Sequence, residues 1–304
     1  MKLKNLLLVV FSVMGSYASL AQSNLLNAKT PDEIGKKSAA QLLSDNDKPL
    51  PYGYIDDRDV LMGKTTWELI DLDERVNFPL YYPVDTAFVG KERRSLFHVL
   101  LNGIKEGKIT EVYGDDYFNS KKTLADIESV FKYKDTTQAG IDEFNNYYDD
   151  YKSGKKVLSE EFINVTELSA ADVSGYRIKG FWFFDKRQSE LKYRLLALCP
   201  IATEARDKAK GNTDGIPLFW VYFPSIRNVL HDAKAFNDKN SAMPITFDHL
   251  LNSRRFNGVI YKEENVYGDR SIEEYLKENA QMQLLESERV KDKIRNFEQD
   301  MWNY

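Results

Sequence analysis

Gly63-Lys64-Thr65 is the triplet that closes a phosphate-binding loop, and it sits inside DDRDVLMGKTTWELIDL, residues 56–72. In a complete loop, backbone N–H groups cradle the phosphates while the lysine and hydroxyl reach phosphate and Mg²⁺. Such a loop needs a glycine where this chain has Arg58, and DRDVLM contains none. Without it the backbone cannot form the anion-binding nest. Trp67 and Ile70 also continue the triplet into a strand, where a phosphate loop opens a helix. The triplet is therefore expected to be a turn carrying a solvated lysine.

Other reactive side chains are sparse. His98, His231 and His249 are scattered, too few for a zinc set, and HExxH and GxSxG do not occur. The acid pairs Asp56-Asp57, Asp115-Asp116 and Asp149-Asp150 have the residue type that a glycosidase or a calcium site uses. DDRD lacks the spacing of a calcium loop, and the other pairs stand alone beside tyrosines, so all three are read as solvated turns. An exported hydrolase working through such pairs, Asp56 and Asp57 above all, is the alternative function. The single cysteine, Cys199, excludes an intramolecular disulfide. It lies in the apolar run LLALCPIA and is expected to be a buried small hydrophobe, with a bridge to a partner as the alternative. Asn164-Val165-Thr166 matches a glycosylation acceptor in form only. No catalytic, cofactor-binding or metal-ligating residue is assigned.

The elements that would position these groups follow from pattern. Lys2 and Lys4 precede the apolar run Leu6–Met14, and Ser19-Leu20-Ala21 offers small residues for cleavage. Residues 1–21 thus read as an export signal, too short to span a bilayer. Gln22, not Cys, follows, so no lipid is expected there. Residues 22–50 read as a flexible lead-in. The net charge of −5 disfavours nonspecific nucleic-acid binding.

From Tyr52 the pattern predicts strands at 59–61 and 67–72 and a third extended piece, 78–83, stopped by Pro83. A helix capped by Ser95 carries Leu96, Val99, Leu100 and Ile104 on one face and ends near Gly107. A strand follows at 109–113, with helices expected at 123–131 and 140–151. In the second half, 176–184 and 191–201 form a hairpin. A strand at 217–224, a helix at 247–255, a strand at 259–262 and a long helix from Ser271 to about Trp302 complete the chain.

Three blocks recur in order. Leu80-Tyr81-Tyr82-Pro83 echoes Val221-Tyr222-Phe223-Pro224, Phe97–Asn102 echoes Phe247–Asn252, and Val112-Tyr113-Gly114-Asp115 echoes Val266-Tyr267-Gly268-Asp269. The expected fold is α+β: two similar small modules, 51–160 and 161–270, with mainly antiparallel strands and packed helices, plus a C-terminal amphipathic helix over 271–304. Related modules suit a subunit that touches neighbours on two sides.

The strongest remaining signals concern surfaces. Phe181-Trp182-Phe183-Phe184 puts rings on both faces of one strand, which is therefore either buried between layers or paired to another chain. In the terminal helix, Val290, Ile294, Phe297 and Met301 recur at helical spacing. At 1.5 Å per residue about 30 residues extend some 45 Å, longer than a small module needs, so the distal half is a candidate partner surface. These eight residues are the candidate interaction set.

The blocks YGYIDDRDVLMGKTTWELIDLDERVNFPLYYP, SLFHVLLNGIKEGKITEVYGDDYF, YRIKGFWFFD, PLFWVYFPSIRNVL and YKEENVYGDRSIEEYL resemble the GldN/PorN family of Bacteroidetes, from about Tyr52 to Leu276. The termini and residues 114–165 match less clearly. The resemblance implies a non-catalytic structural subunit of the periplasmic ring of the type IX protein secretion and gliding machinery. Its implied partners are a GldK/PorK-like outer-membrane lipoprotein, the periplasmic domain of a GldM/PorM-like motor protein, and copies of itself. Its implied location is the periplasm, at the outer membrane through the lipoprotein. No catalytic residue and no cofactor are implied.

Overall fold

A long antiparallel hairpin forms the centre of the fold. Strand β5 (Val173–Asp185) runs into β6 (Glu190–Ala202), and the two stay paired along their whole length. The turn between them is set by Asp185, whose carboxylate accepts the backbone N–H groups of Arg187 (3.0 Å) and Gln188 (3.3 Å) and an ion pair from Lys192 (2.9 Å). Strand β1 (Val60–Asp71) pairs with β5 on its other side.

These features belong to a computed structural model that describes residues 29–30, 33, 47–90, 93–237, 245–277 and 279–302, with the Asp149 side chain left aside. The sheet and its helices form one unit, Pro49–Ala235 with Thr246–Tyr304. The other unit, Met1–Lys48 with Phe236–Ile245, lies mostly outside the described residues, and so do the expected export signal and most of the expected lead-in.

Around the hairpin a seven-stranded sheet assembles in the order β11 (Val259–Glu263), β1, β5, β6, β8 (Trp220–Tyr222), β2 (Val112–Tyr113), with β7 (Ile216–Pro217) also paired to β6. All of these pairs are antiparallel. A second, two-stranded sheet joins β3 (Lys132–Thr136) to β4 (Ile163–Glu167), and two-residue strands β9 (Lys234–Ala235) and β10 (Ile245–Thr246) flank residues left undescribed. The fold is α+β, as expected. Strands from both halves of the chain interleave in the large sheet.

Ten helices are described: α1 (Phe78–Tyr81), α2 (Leu96–Lys105), α3 (Leu124–Phe131), α4 (Gln138–Asn146), α5 (Tyr148–Lys152), α6 (Ala205–Ala209), α7 (Phe223–Asp232), α8 (Phe247–Asn252), α9 (Ile272–Tyr275) and α10 (Ala280–Trp302). Hydroxyl caps fix several starts. The Ser95 Oγ accepts from the His98 N–H, the Thr246 Oγ1 from the His249 N–H (3.2 Å), and Thr123 forms a reciprocal capping box with Asp126. Helices α7 and α8 pack on β6, and α7 also touches α2. Leu96, Phe97, Leu100, Phe223, Leu230, Phe247 and Leu251 are buried in these helices, as are Ile70, Tyr176, Ile178, Leu195 and Leu198 in the sheet.

Prolines account for two departures from the expected pattern. Pro79 and Pro224 each stand in the first turn of a helix, α1 and α7, where a missing N–H costs nothing. The extended piece expected at 78–83 is therefore helical at its start, and in place of the strand expected at 217–224 stand the two short strands β7 and β8, ending at Tyr222. Strands expected at 59–61 and 67–72 are one continuous β1, so Gly63-Lys64-Thr65 lies within a strand and not in a turn. The strand expected at 109–113 shrinks to two residues. The helix expected at 140–151 is interrupted at Tyr147, and the terminal helix is described as two pieces, Ile272–Tyr275 and Ala280–Trp302.

The echoed blocks fall on like and unlike elements. Phe97–Asn102 and Phe247–Asn252 lie in the hydroxyl-capped helices α2 and α8. Val112-Tyr113 is a strand, whereas Val266-Tyr267 belongs to a turn closed by Gly268 and Asp269 at φ 77° and 58°.

Two glycines in the sheet are explained by rings lying across them. A Cβ on Gly63 would meet the tip of the Phe181 ring at 2.6 Å, and one on Gly180 would meet the Tyr193 hydroxyl and ring at 2.1–2.3 Å. In both cases the ring reaches diagonally over a neighbouring strand position. The Tyr193 hydroxyl is fully buried, and the Cβ overlap there is the deeper of the two. Gly180→Ala is thus expected to destabilise the protein by about 1–3 kcal/mol in urea titration, and Gly63→Ala by clearly less. Equal costs would show that the rings do not set these positions.

Candidate interaction surface

Residues opposite one another in an antiparallel ladder share a face, so the register sorts the aromatic strand. Trp182 lies opposite Lys64 and Tyr193, and Phe184 opposite Met62 and Leu191, on one face; Phe181 and Phe183 take the other.

On the first face, Trp182, Met62 and Leu191 pack against a cluster of Ile260, Val290 and Ile294. Helix α10 thus lies on the sheet, and Phe297 meets Phe184 edge-on at 5.8 Å. Ser287 adds a polar anchor, its Oγ accepting the backbone N–H of Ile260 in the outermost strand β11 at 2.9 Å. Of the eight candidate interaction residues, Phe183, Phe184, Val290 and Ile294 are buried, while Phe181, Trp182 and Phe297 are half-buried. Met301 is 37% exposed. The structure brings Trp182, Val290 and Ile294 into one cluster and Phe184 onto Phe297. It stacks Phe181 on Phe183 (5.9 Å) across the sheet from them and leaves Met301 apart, beside the exposed Trp302.

Beneath Trp182 lies a group that pattern reading passed over. Glu68, in β1, is 1% exposed and takes a bidentate ion pair from Arg254 at 2.8 and 3.0 Å. The Arg254 guanidinium stacks on Tyr193 (4.2 Å) and Trp182 (4.9 Å). Arg254 adopts φ 50°, an uncommon conformation for a residue with a side chain, imposed where the chain leaves α8 for β11. The available sequence signal was Glu68 itself, a charge at an inward position of the alternating run Thr66, Glu68, Ile70.

The opposite face holds a second cation–ring assembly. The Lys179 and Lys262 ammonium groups sit 4.9 and 4.2 Å from the buried Trp67 ring and 4.4 and 4.9 Å from Tyr117. Lys179 donates to the Asp116 carbonyl (2.9 Å), Lys262 pairs with the Asp116 carboxylate (3.3 Å), and the Tyr117 hydroxyl donates to Asp269 (2.7 Å). The loop after β2 is thereby held on the sheet. That hydrogen bond is the main reason the Asp269 carboxyl is held below its usual range.

The residues first considered for chemistry have structural occupations. Lys64 is paired with Glu263 (3.1 Å) and donates to the Glu264 carbonyl (2.6 Å), so it is not a solvated lysine. Asp56 is engaged by Arg58 through side chain and backbone, and the same contacts lower its carboxyl. Asp115 accepts the Ser120 (2.7 Å) and Asn119 (3.2 Å) N–H groups, Asp116 is salt-bridged, and the Asp149 side chain lies outside the described residues. Burial, with Arg94 and Lys105 nearby, holds His98 below its usual range. Cys199 is buried beside Trp67, Ala197 and Trp220, and burial pushes its thiol up to about 12. Among the described residues no three or more His, Cys, Asp or Glu gather as a metal site would require, and no helix is long and apolar enough to cross a membrane.

Removing one partner of a buried ion pair strands the other. Arg254→Ala is expected to cost about 3–5 kcal/mol, and the double change Glu68→Met with Arg254→Met to recover most of that loss in chemical denaturation. Additive losses would mean that the two charges are not coupled. Trp182→Ala is expected to cost about 3 kcal/mol and to speed amide exchange along α10 selectively. Unchanged exchange there would show that Trp182 does not seat the helix.

A search of curated proteins returns no match. The family model described as gliding motility associated protein GldN matches residues 55–303, which takes in every strand from β1 to β11 and helix α10. With most of its length matched, the chain belongs to the GldN family of gliding motility associated proteins.

Proposed function

We propose that this chain is a non-catalytic structural subunit of the periplasmic ring of the type IX protein secretion and gliding machinery. In this reading it assembles beneath the outer membrane with a GldK/PorK-like lipoprotein and with copies of itself, and it meets the periplasmic domain of a GldM/PorM-like motor protein. The observation that carries the reading is the family match over residues 55–303, which spans the whole sheet together with its covering helix. The occupations of the acidic groups support it further. Asp56 serves as a cap held by Arg58, and Asp116 as a counter-ion for Lys262. A general acid needs a proton near neutral pH, whereas the Asp56 and Asp115 carboxyls are both lowered, by hydrogen bonds from Arg58 and from the Ser120 backbone respectively.

An affinity-tagged copy of the full chain, expressed in its host, is expected to fractionate with the outer membrane and to co-purify with a lipoprotein in a high-mass assembly. Its absence from that assembly would sink the reading. Asp56→Asn with Asp57→Asn is expected to leave cargo secretion at its normal level; lost secretion from an intact assembly would instead favour hydrolysis by the paired acids.

A further inference from the structure

The small sheet of β3 and β4 has an open edge. The Leu168 N–H reaches the Phe131 carbonyl at 2.9 Å and the Thr137 N–H the Phe162 carbonyl at 2.9 Å, and these two bonds bracket the ladder. Bonding alternates along an antiparallel pair, so Tyr133 with Thr166 and Asp135 with Asn164 direct their main-chain groups at one another. Those of Lys132, Lys134 and Thr136 in β3, and of Ile163, Val165 and Glu167 in β4, therefore point out of the sheet. The Lys132 N–H is taken by the Glu128 carbonyl and the Ile163 N–H by that of Glu160. Among the described residues, the N–H and C=O groups of Val165 and Glu167 have no partner. Val165 is 48% exposed.

The two edges differ in their defences. Lysine on an edge strand guards against the addition of another strand, and β3 carries Lys132 and Lys134 at outward positions. Strand β4 reads Ile-Asn-Val-Thr-Glu, with neither lysine nor proline, and Ile163, Val165 and Thr166 are β-branched residues suited to pairing.

We propose that β4 pairs antiparallel with β4 of a second copy about a twofold axis at Val165, joining two β3–β4 ribbons into one sheet. Chemistry selects this register. A centre at Glu167 sets carboxylate against carboxylate, and a centre at Ile163 needs the N–H that Glu160 holds. Centred on Val165, each Val165 exchanges both main-chain bonds with its counterpart. Each Glu167 N–H meets the other copy's Ile163 carbonyl, and Asn164 faces Thr166. Glu167 keeps its own Lys132 as counter-ion at 2.5 Å, so no like charges stand opposite. The same pairing through β3 would set Lys134 against Lys134. Because the strand is its own complement, a second copy is the occupant. The pairing is a property of the isolated chain and does not rest on the ring assignment.

Sedimentation velocity of the full chain reads the association. The wild type is expected to form a dimer as concentration rises, and Val165→Lys, which sets ammonium against ammonium at the centre, to weaken it about tenfold. Val165→Thr, which keeps a β-branched side chain and every main-chain bond, is expected to leave it unchanged. Oxidation then reads the register. Opposed Cα atoms of a hydrogen-bonded pair lie about 5.5 Å apart, within disulfide reach, so Val165→Cys is expected to give a disulfide-linked dimer. Asn164→Cys, diagonal to its own counterpart, is expected not to cross-link, and the native Cys199 is buried. Circular dichroism checks that each variant is folded, and Val165→Cys keeps the test decisive if Val165→Lys is not. A wild type that stays monomeric would overturn the proposal. So would a dimer that Val165→Lys leaves intact, or cross-linking through Asn164→Cys as readily as through Val165→Cys.

Discussion

The ion pair between Glu68 and Arg254 is the constraint on which the arrangement of the sheet's outer half depends. A carboxylate with 1% exposure is costly to bury and is tolerated only when paired and hydrogen-bonded. Its partner comes from the segment between α8 and β11, so satisfying Glu68 fixes where that segment crosses the sheet. The guanidinium in turn lies against Trp182 and Tyr193, which sets rings from β5 and β6 under it. Tyr193 reaches that position across Gly180, and Trp182 forms part of the bed on which α10 rests. One buried charge thereby ties β1, β5, β6, the approach to β11 and the terminal helix together.

Cations over rings recur throughout the fold. Tyr52 lies between the Arg194 and Arg227 guanidinium groups at 4.6 and 4.2 Å, while Arg227 forms a buried pair with Asp248 at 2.7 Å and donates to the Leu50 carbonyl at 2.7 Å. This fastens the chain entering β1 onto α7 and α8. Lys179 and Lys262 do the same for the loop after β2. An aromatic content of 13% therefore has an internal use beyond packing area: ring faces receive the stems and heads of basic side chains that would otherwise be difficult to place against a sheet.

Much of the fold was legible because local signals agreed with it. Ser95 and Thr123 mark real helix starts, the 176–201 run is a real hairpin, and the run expected at 67–72 lies in a real strand apart from its last residue. Errors arose where one residue type has two meanings. Proline ends a strand or opens a helix, and only the packing of Leu80 and Ile226 decides for α1 and α7. Glycine marks a turn or a ring's close approach, and Gly63 is the second kind. The candidate surface was harder to read. Four rings in a row announce that both sides of β5 are occupied but not by what. The partners that settle it, Arg254, Phe297 and Ile294, lie 70 to 115 positions away. Such contacts leave no local trace, because each partner taken alone is an ordinary arginine or an ordinary helix position.

The hydrogen bond from the Ile260 N–H to Ser287 has a geometric consequence at the margin of the sheet. With Ser271 bridging Lys262, it seals one outer strand, and at the other margin Lys121 bridges Tyr113 while the Lys122 N–H reaches the Val112 carbonyl at 2.8 Å. At these positions of β11 and β2 the main-chain groups are already engaged, so a further strand could add there only by displacing those bonds.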